Sequence, residues 1–147
     1  MTARLFIDTN ILIYALDPAE PAKRATSADL LRHAIESHTL ALSPQNLNEC
    51  YKILMQRRRL VPVQAARSYL TYLIPWCIAP LDSQTTVKAW AVQDEEGLEW
   101  WDALLVASAL ITQCKLFFSE DMQDGRVISG MRIINPFSAS FSWGALR

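Results

Sequence analysis

Five carboxylates in this chain stand where an apolar run gives way to a turn or a helix. Asp8 directly follows Arg4–Ile7. Glu49 lies one turn into the helical segment after Thr39–Ser43. Asp102 opens the apolar stretch from Trp100 to Gln113. Asp121 and Asp124 follow Lys115–Phe118, within Ser119-Glu-Asp-Met-Gln-Asp-Gly125. Each acid alone has an ordinary explanation, as a helix cap, a complement to a helix dipole or a solvated side chain. The set asks for more. Asp8 and Asp102 border strongly apolar segments, where an unpaired carboxylate is costly to bury. Carboxylates drawn together repel one another unless a cation lies among them. All-oxygen donors with no His or Cys nearby point to Mg²⁺ or Mn²⁺ rather than zinc. A carboxylate cluster on such an ion activates a water, orients a phosphodiester and stabilises the leaving oxygen.

Other chemistries find less support. No serine stands in a nucleophile elbow and no glycine-rich phosphate loop exists; the chain has only 4 glycines. His33 and His38 fall outside the acidic segments and read as surface residues. Phosphoryl transfer through an aspartyl-phosphate on Asp8 would call for a second Asp two residues on, where Asn10 stands, or for a receiver-type acid pair and lysine, which are missing.

The elements that must position these acids alternate. Arg4–Ile7, Thr39–Ser43, Cys77–Leu81, Lys115–Phe118 and Met131–Ile134 read as strands, the third interrupted by Pro80 and so placed at an edge. Between them, helices are expected over Ile11–Leu16, Lys23–Glu36, Pro44–Arg59, Val63–Leu73, Ser83–Glu96 and Trp100–Gln113. Strands alternating with helices imply an α/β sandwich around a largely parallel sheet. In such a sheet ligands bind at the carboxyl ends of the strands, near the switch point in strand order. All five acids would then face one end of the sheet.

The chain has 147 residues, 51% hydrophobic and 20% charged, with a formal net charge of −1. One domain, 1–137, with a tail over 138–147, accounts for that length. The balance argues against binding nucleic acid by bulk charge but leaves room for a local basic strip. No apolar run approaches the ~18 residues of a membrane helix. The N-terminus carries no secretory pattern, and the three cysteines, Cys50, Cys77 and Cys114, read as reduced and packed. A cytoplasmic location is expected.

The blocks Phe6-Ile-Asp-Thr-Asn10, Asn48-Glu49, Trp101-Asp-Ala-Leu-Leu105, Phe118–Gly125 and Arg132–Phe137 occur in an order and at spacings that resemble the PIN-domain ribonucleases, including the VapC-type toxins of bacterial toxin–antitoxin pairs. The resemblance spans residues 4 to about 137. It implies a PIN-like three-layer α/β/α sandwich with a mostly parallel five-stranded sheet in the order 3-2-1-4-5. It implies cleavage of single-stranded RNA with Mg²⁺ or Mn²⁺, a homodimer, and a small antitoxin that covers the acidic groove. The family's acids fall on Asp8, Glu49 and Asp102, with the fourth on Asp121 and Asp124 as an outer ligand. Asn10 and Ser119 match polar positions that orient acids or waters.

The basic run Arg57-Arg58-Arg59, with Lys52 and Arg67 near it and Lys23 and Arg24 as an extension, is the candidate phosphate-contacting strip. The same arginines would also complement a helix C-terminus. Trp100 and Trp101 flank the third acid. Consecutive helix residues point about 100° apart, so one must pack while the other is free to stack on a base. The competing reading is a non-catalytic PIN-fold module that docks a protein partner.

Overall fold

A computed structural model describes residues 3–58 and 60–146. Nine principal elements build a three-layer sandwich: β1 (Leu5–Ile7), α1 (Thr9–Tyr14), α2 (Pro21–Glu36), β2 (Leu40–Ala41), α3 (Pro44–Lys52), α4 (Val63–Leu73), α5 (Ser83–Glu96), α6 (Trp100–Ile111) and β3 (Leu116–Phe118). A hairpin, β4 (Val127–Ile128) with β5 (Met131–Ile134), completes the sheet. The α3 helix continues as π-helical turns over Ile53–Arg58.

The central strands β1, β2 and β3 are covered on both faces, and their side chains alternate between two cores. Leu5, Ile7, Leu40, Leu42, Phe118 and Ile134 face a core shared with α1–α4. Phe6, Ala41, Phe117, Met131 and Ile133 face the one shared with α5 and α6. This period of two assigns neighbouring residues of one apolar run to opposite layers. Phe6 pairs with Phe117 in register, and their rings stack at 5.1 Å. The α6 helix is buried from Ala103 to Ala109, as its apolar sequence requires, and its one polar residue there, Ser108, donates to Pro80 O at 2.6 Å.

The strand order is β2-β1-β3-β5-β4, with β1, β2, β3 and β5 parallel and β4 antiparallel to β5. The expected arrangement of a mostly parallel five-stranded sheet between helices holds, with one correction. Cys77–Leu81 forms no strand. Leu42 N–H donates to Trp76 O and Ala79 N–H donates to Leu42 O, both at 2.9 Å, so the segment does run beside β2. Ile78 N–H, however, folds back onto Trp76 O at 2.9 Å, with Cys77 at φ −81, ψ 65. That is an inverse γ-turn, and it throws the backbone out of register. Pro80 follows and lacks a donor. The fifth strand is instead β4, returned through Ser129 (φ 48) and Gly130 (φ 84). Two consecutive positive φ values are the signature of a tight hairpin turn matched to strand twist.

The tail folds back on its own chain. Phe141 meets the Phe118 ring edge-on at 6.2 Å, and Trp143 lies 6.0 Å from the His33 ring on α2.

Candidate active site

The chain leaves β1 for β2 on one side, then crosses to β3 on the other, so the switch point lies between β1 and β3. Their carboxyl ends carry Asp8 and Ser119. Asp8 N–H donates to Phe118 O and Ser119 N–H to Ile134 O, each at 2.9 Å, so the ladder runs one residue past the strands and fixes both backbones. Asp8 then caps α1, its extended backbone (φ −67, ψ 152) placing Oδ1 2.7 Å from Thr9 N–H. Its Oδ2 accepts from Ser119 Oγ at 2.8 Å, and Ser119 Oγ in turn accepts from Asp121 N–H at 3.2 Å. One buried serine therefore joins the first and fourth acids.

A second chain of contacts joins the others. Ser43 caps α3 with a reciprocal box through Asn46, which aims the Asn46 amide inward. Asn46 Nδ2 donates to Ile7 O (3.2 Å) and Thr9 Oγ1 (3.3 Å), and Thr9 Oγ1 donates to Glu49 Oε1 at 2.8 Å. One turn before Glu49, Gln45 Nε2 reaches both Glu49 Oε2 (3.3 Å) and the Trp101 carbonyl (3.0 Å). Asn10 Nδ2 donates to Asp121 Oδ2 at 2.8 Å. The loop bearing Asp121 is stapled from behind. Glu120 accepts from the Tyr14 hydroxyl and pairs with Lys23 at 2.8 Å. Lys23 also lies over the Tyr14 and Phe137 rings.

Asp8, Glu49, Asp102 and Asp121 line one cavity of about 540 Å³, with Lys52 and Asn48 on its rim and Trp101, Leu81, Leu105 and Ile53 as its apolar lining. Asp8 is pushed up from 3.8 to about 7, first by burial; its bonds from Ser119 and Thr9 pull the other way, while the Asp102 and Asp121 charges add to the rise. Asp102 is pushed up to about 6 by burial, then by Glu99, Asp121 and Glu49. The charged neighbours that raise both acids are other carboxylates. This is the electrostatic condition that a bound cation relieves. The donor set, all carboxylate oxygen, fits a hard divalent ion. Among the described residues no three acids converge tightly enough to cage an ion by themselves. Mg²⁺ is ordinarily held by one or two carboxylates plus waters, and the four acids around this cavity fit that mode.

Asp124 lies apart from the cavity. Its carboxylate accepts from Asn135 N–H at 2.8 Å and from Ser140 Oγ at 3.5 Å, tying the loop to the end of β5. Arg59 and the side chains of Arg57 and Arg58 lie outside the described residues. Lys23, read as an extension of the basic strip, is committed to Glu120 instead. Trp100 packs against the core and Trp101 is exposed. Sequence reasoning missed Thr9, Gln45, Asn46 and Glu120. Gln45 was detectable, since it precedes Glu49 by four residues and must share its helix face.

Ser119→Ala removes a donor to Asp8 and an acceptor for Asp121 N–H. The Asp8 carboxyl should then titrate above its value of about 7, and a carboxyl ¹³C shift titration of the metal-free protein checks this. An unchanged or lower midpoint would show that Ser119 does not support the charged form.

The chain belongs to the PIN domain family, whose profile matches residues 5–124. Its structure is similar to that of a toxin–antitoxin complex from Klebsiella pneumoniae, at 21% identity over 92% of this chain and 98% of that one, with a TM-score of 0.63. It is similar also to VapBC2 from Rickettsia felis bound to a DNA fragment from its promoter, at 14% identity, 88% and 96% coverage and a TM-score of 0.62. Mycobacterium tuberculosis VapC20, a Sarcin-Ricin loop cleaving toxin, aligns at 17% identity, 77% and 86% coverage and a TM-score of 0.54. No curated protein sequence matches the chain. Among the described residues no helix is long and apolar enough to cross a membrane.

Proposed function

We propose that this chain is a Mg²⁺- or Mn²⁺-dependent endoribonuclease that cuts single-stranded RNA, and that it serves as the toxin of a toxin–antitoxin pair in the cytoplasm. The observation that carries the reading is the meeting of Asp8, Glu49, Asp102 and Asp121 in one cavity at the switch point of a PIN fold. The toxin assignment draws support from structural neighbours described as a toxin–antitoxin complex, as VapBC2 and as a Sarcin-Ricin loop cleaving toxin. A small antitoxin and a second copy of the chain are the expected protein partners.

Asp8, Glu49, Asp102 and Asp121 would hold the metal, which when bound supplies charge neutralisation and Lewis acidity at the phosphodiester. The protein's own groups do the positioning. Ser119 holds Asp8 and the Asp121 turn together, and Asn10 fixes the Asp121 carboxylate. Thr9 and Gln45 each take one oxygen of Glu49. Asp124 sets the turn behind the site rather than the ion. Lys52 on the rim would meet a phosphate flanking the cut, and the sequence run Arg57-Arg58-Arg59 is the candidate for further phosphate contacts. The departing oxygen takes its proton from water.

The test is cleavage of a labelled single-stranded RNA pool by the purified, partner-free protein in Mn²⁺, Mg²⁺ and EDTA. Cuts that require metal are expected. An intact pool in both metals, from folded protein, would move the assignment to a non-catalytic PIN module that docks a protein partner.

A further inference from the structure

Two features of the cavity point to a use beyond the acid chemistry. The first is Trp101. Its side chain is 56% exposed, yet its backbone is held on both sides. Glu99 Oε2 accepts from its N–H at 3.0 Å, and its carbonyl accepts from Gln45 Nε2 at 3.0 Å. Trp100, one residue earlier, is packed into the core. The Trp101 indole is thus presented on the cavity wall by a fixed turn, next in sequence to Asp102, with Leu81, Leu105 and Ile53 also in the apolar part of the lining.

The second is Gln45 itself, whose side chain is only 5% exposed. Its Nε2 faces two acceptors, Glu49 Oε2 and the Trp101 carbonyl, so the amide cannot be turned round without setting oxygen against oxygen. Its Oε1 is left buried with no hydrogen-bond partner. A buried acceptor without a donor is costly and calls for an explanation. That cost is borne to keep Nε2 on both Glu49 and the Trp101 carbonyl, which fixes the place of Trp101 beside the acids.

An acidic cavity accepts a phosphate only with cations between them. Its apolar side suits the part of a nucleotide that carries no charge. Every base has a π-face that stacks on an aromatic ring, and only an unpaired base offers that face together with its hydrogen-bonding edge. We propose that Trp101 is the platform on which one unpaired base beside the cleaved phosphate stacks, and that Gln45 holds this platform at the acids. The subsite rests on the nuclease reading above.

The test walks a single abasic residue across a short RNA with one mapped cut, using wild type, Trp101→Ala, Trp101→Phe and Gln45→Met in Mn²⁺. At one position next to the cut, the abasic residue should cost wild type about 10- to 100-fold in kcat/KM. Trp101→Ala should lose a similar factor on intact RNA and nothing further at that position. Trp101→Phe should keep most of the rate, and Gln45→Met should weaken cleavage of intact RNA more than of the abasic substrate. Additive losses in Trp101→Ala, or a wild-type rate in that variant, would overturn the subsite and leave the nuclease reading standing. Equal losses on both substrates would remove Gln45 from it. No cutting by wild type would overturn both.

Discussion

Asp8→Asn is expected to abolish RNA cleavage while leaving a protein that is more stable than wild type in EDTA. The first half follows from position. Asp8 is the acid at the switch point, and Asp102 and Asp121 are both close enough to disturb its titration. Removing its charge takes away one of the groups proposed to hold the metal. A loss of at least a thousand-fold, about 4 kcal/mol of transition-state stabilisation, is the expected scale. The second half follows from burial. Asp8 is 6% exposed, and its carboxyl is held up to about 7. An amide of the same shape has no charge to desolvate, and its oxygen can still accept from Thr9 N–H. At pH 8 the gain should be on the order of 2–4 kcal/mol, or roughly 5–10 °C in Tm. Thermal melts in EDTA and cleavage rates in Mn²⁺ separate the two halves. A variant that is both inactive and less stable would mean that Asp8 is there to hold the fold.

Metal-free wild type should lose stability as pH rises from about 4 to 7. The folded-state pKa of Asp8 lies above its ordinary value of 3.8, so the folded state binds the proton more tightly than the unfolded chain does. Below 3.8 both states are protonated and the group contributes nothing. Between 3.8 and about 7 the unfolded chain gains from ionising while the folded one does not, and above 7 the full penalty stands. Asp102 acts in the same direction up to about 6. Glu120, held below its ordinary range although burial opposes this, by bonds from Lys23 and Tyr14, works the other way, but only at the acid end. Saturating Mn²⁺ should flatten the profile by stabilising the ionised acids, and Asp8→Asn should flatten it without metal. Urea denaturation at pH 5 and pH 8, with and without Mn²⁺, is the measurement. A metal-free protein as stable at pH 8 as at pH 5 would contradict the burial of an unpaired charge.

Much of this fold can be read from local pattern, because its strands are buried runs and its helices carry explicit punctuation. Ser43-Pro44 opens α3, Gly97 in the left-handed region (φ 68) closes α5, and Asp8 both ends β1 and caps α1. Cys77–Leu81 misleads for a physical reason. Its apolar composition satisfies a strand, but the γ-turn at Cys77 is a backbone choice that composition does not encode. Ser129-Gly130 carries a hairpin signal, but one of the strands it joins is only two residues long and shows no alternation of its own. For the site, the order of the acids is local information. The Glu120–Lys23 staple is not, since 97 residues separate its partners. Neither is the role of Gln45, which depends on a carbonyl 56 residues away.

The position of β1 between β2 and β3 also sets a time order. As the chain is synthesised, β1 can pair with β2 once residue 41 has emerged, but its other edge stays bare until Leu116–Phe118 arrives. Asp8 acquires its Ser119 partner, and the cavity its fourth acid, only at that moment. A nascent or truncated chain ending before β3 therefore holds three separated carboxylates and an unfinished sheet edge, with no assembled centre. The strand that covers the second edge of β1 is thus also the one that carries Ser119 and Asp121 to Asp8, so closing the middle of the sheet and gathering the four acids are a single event.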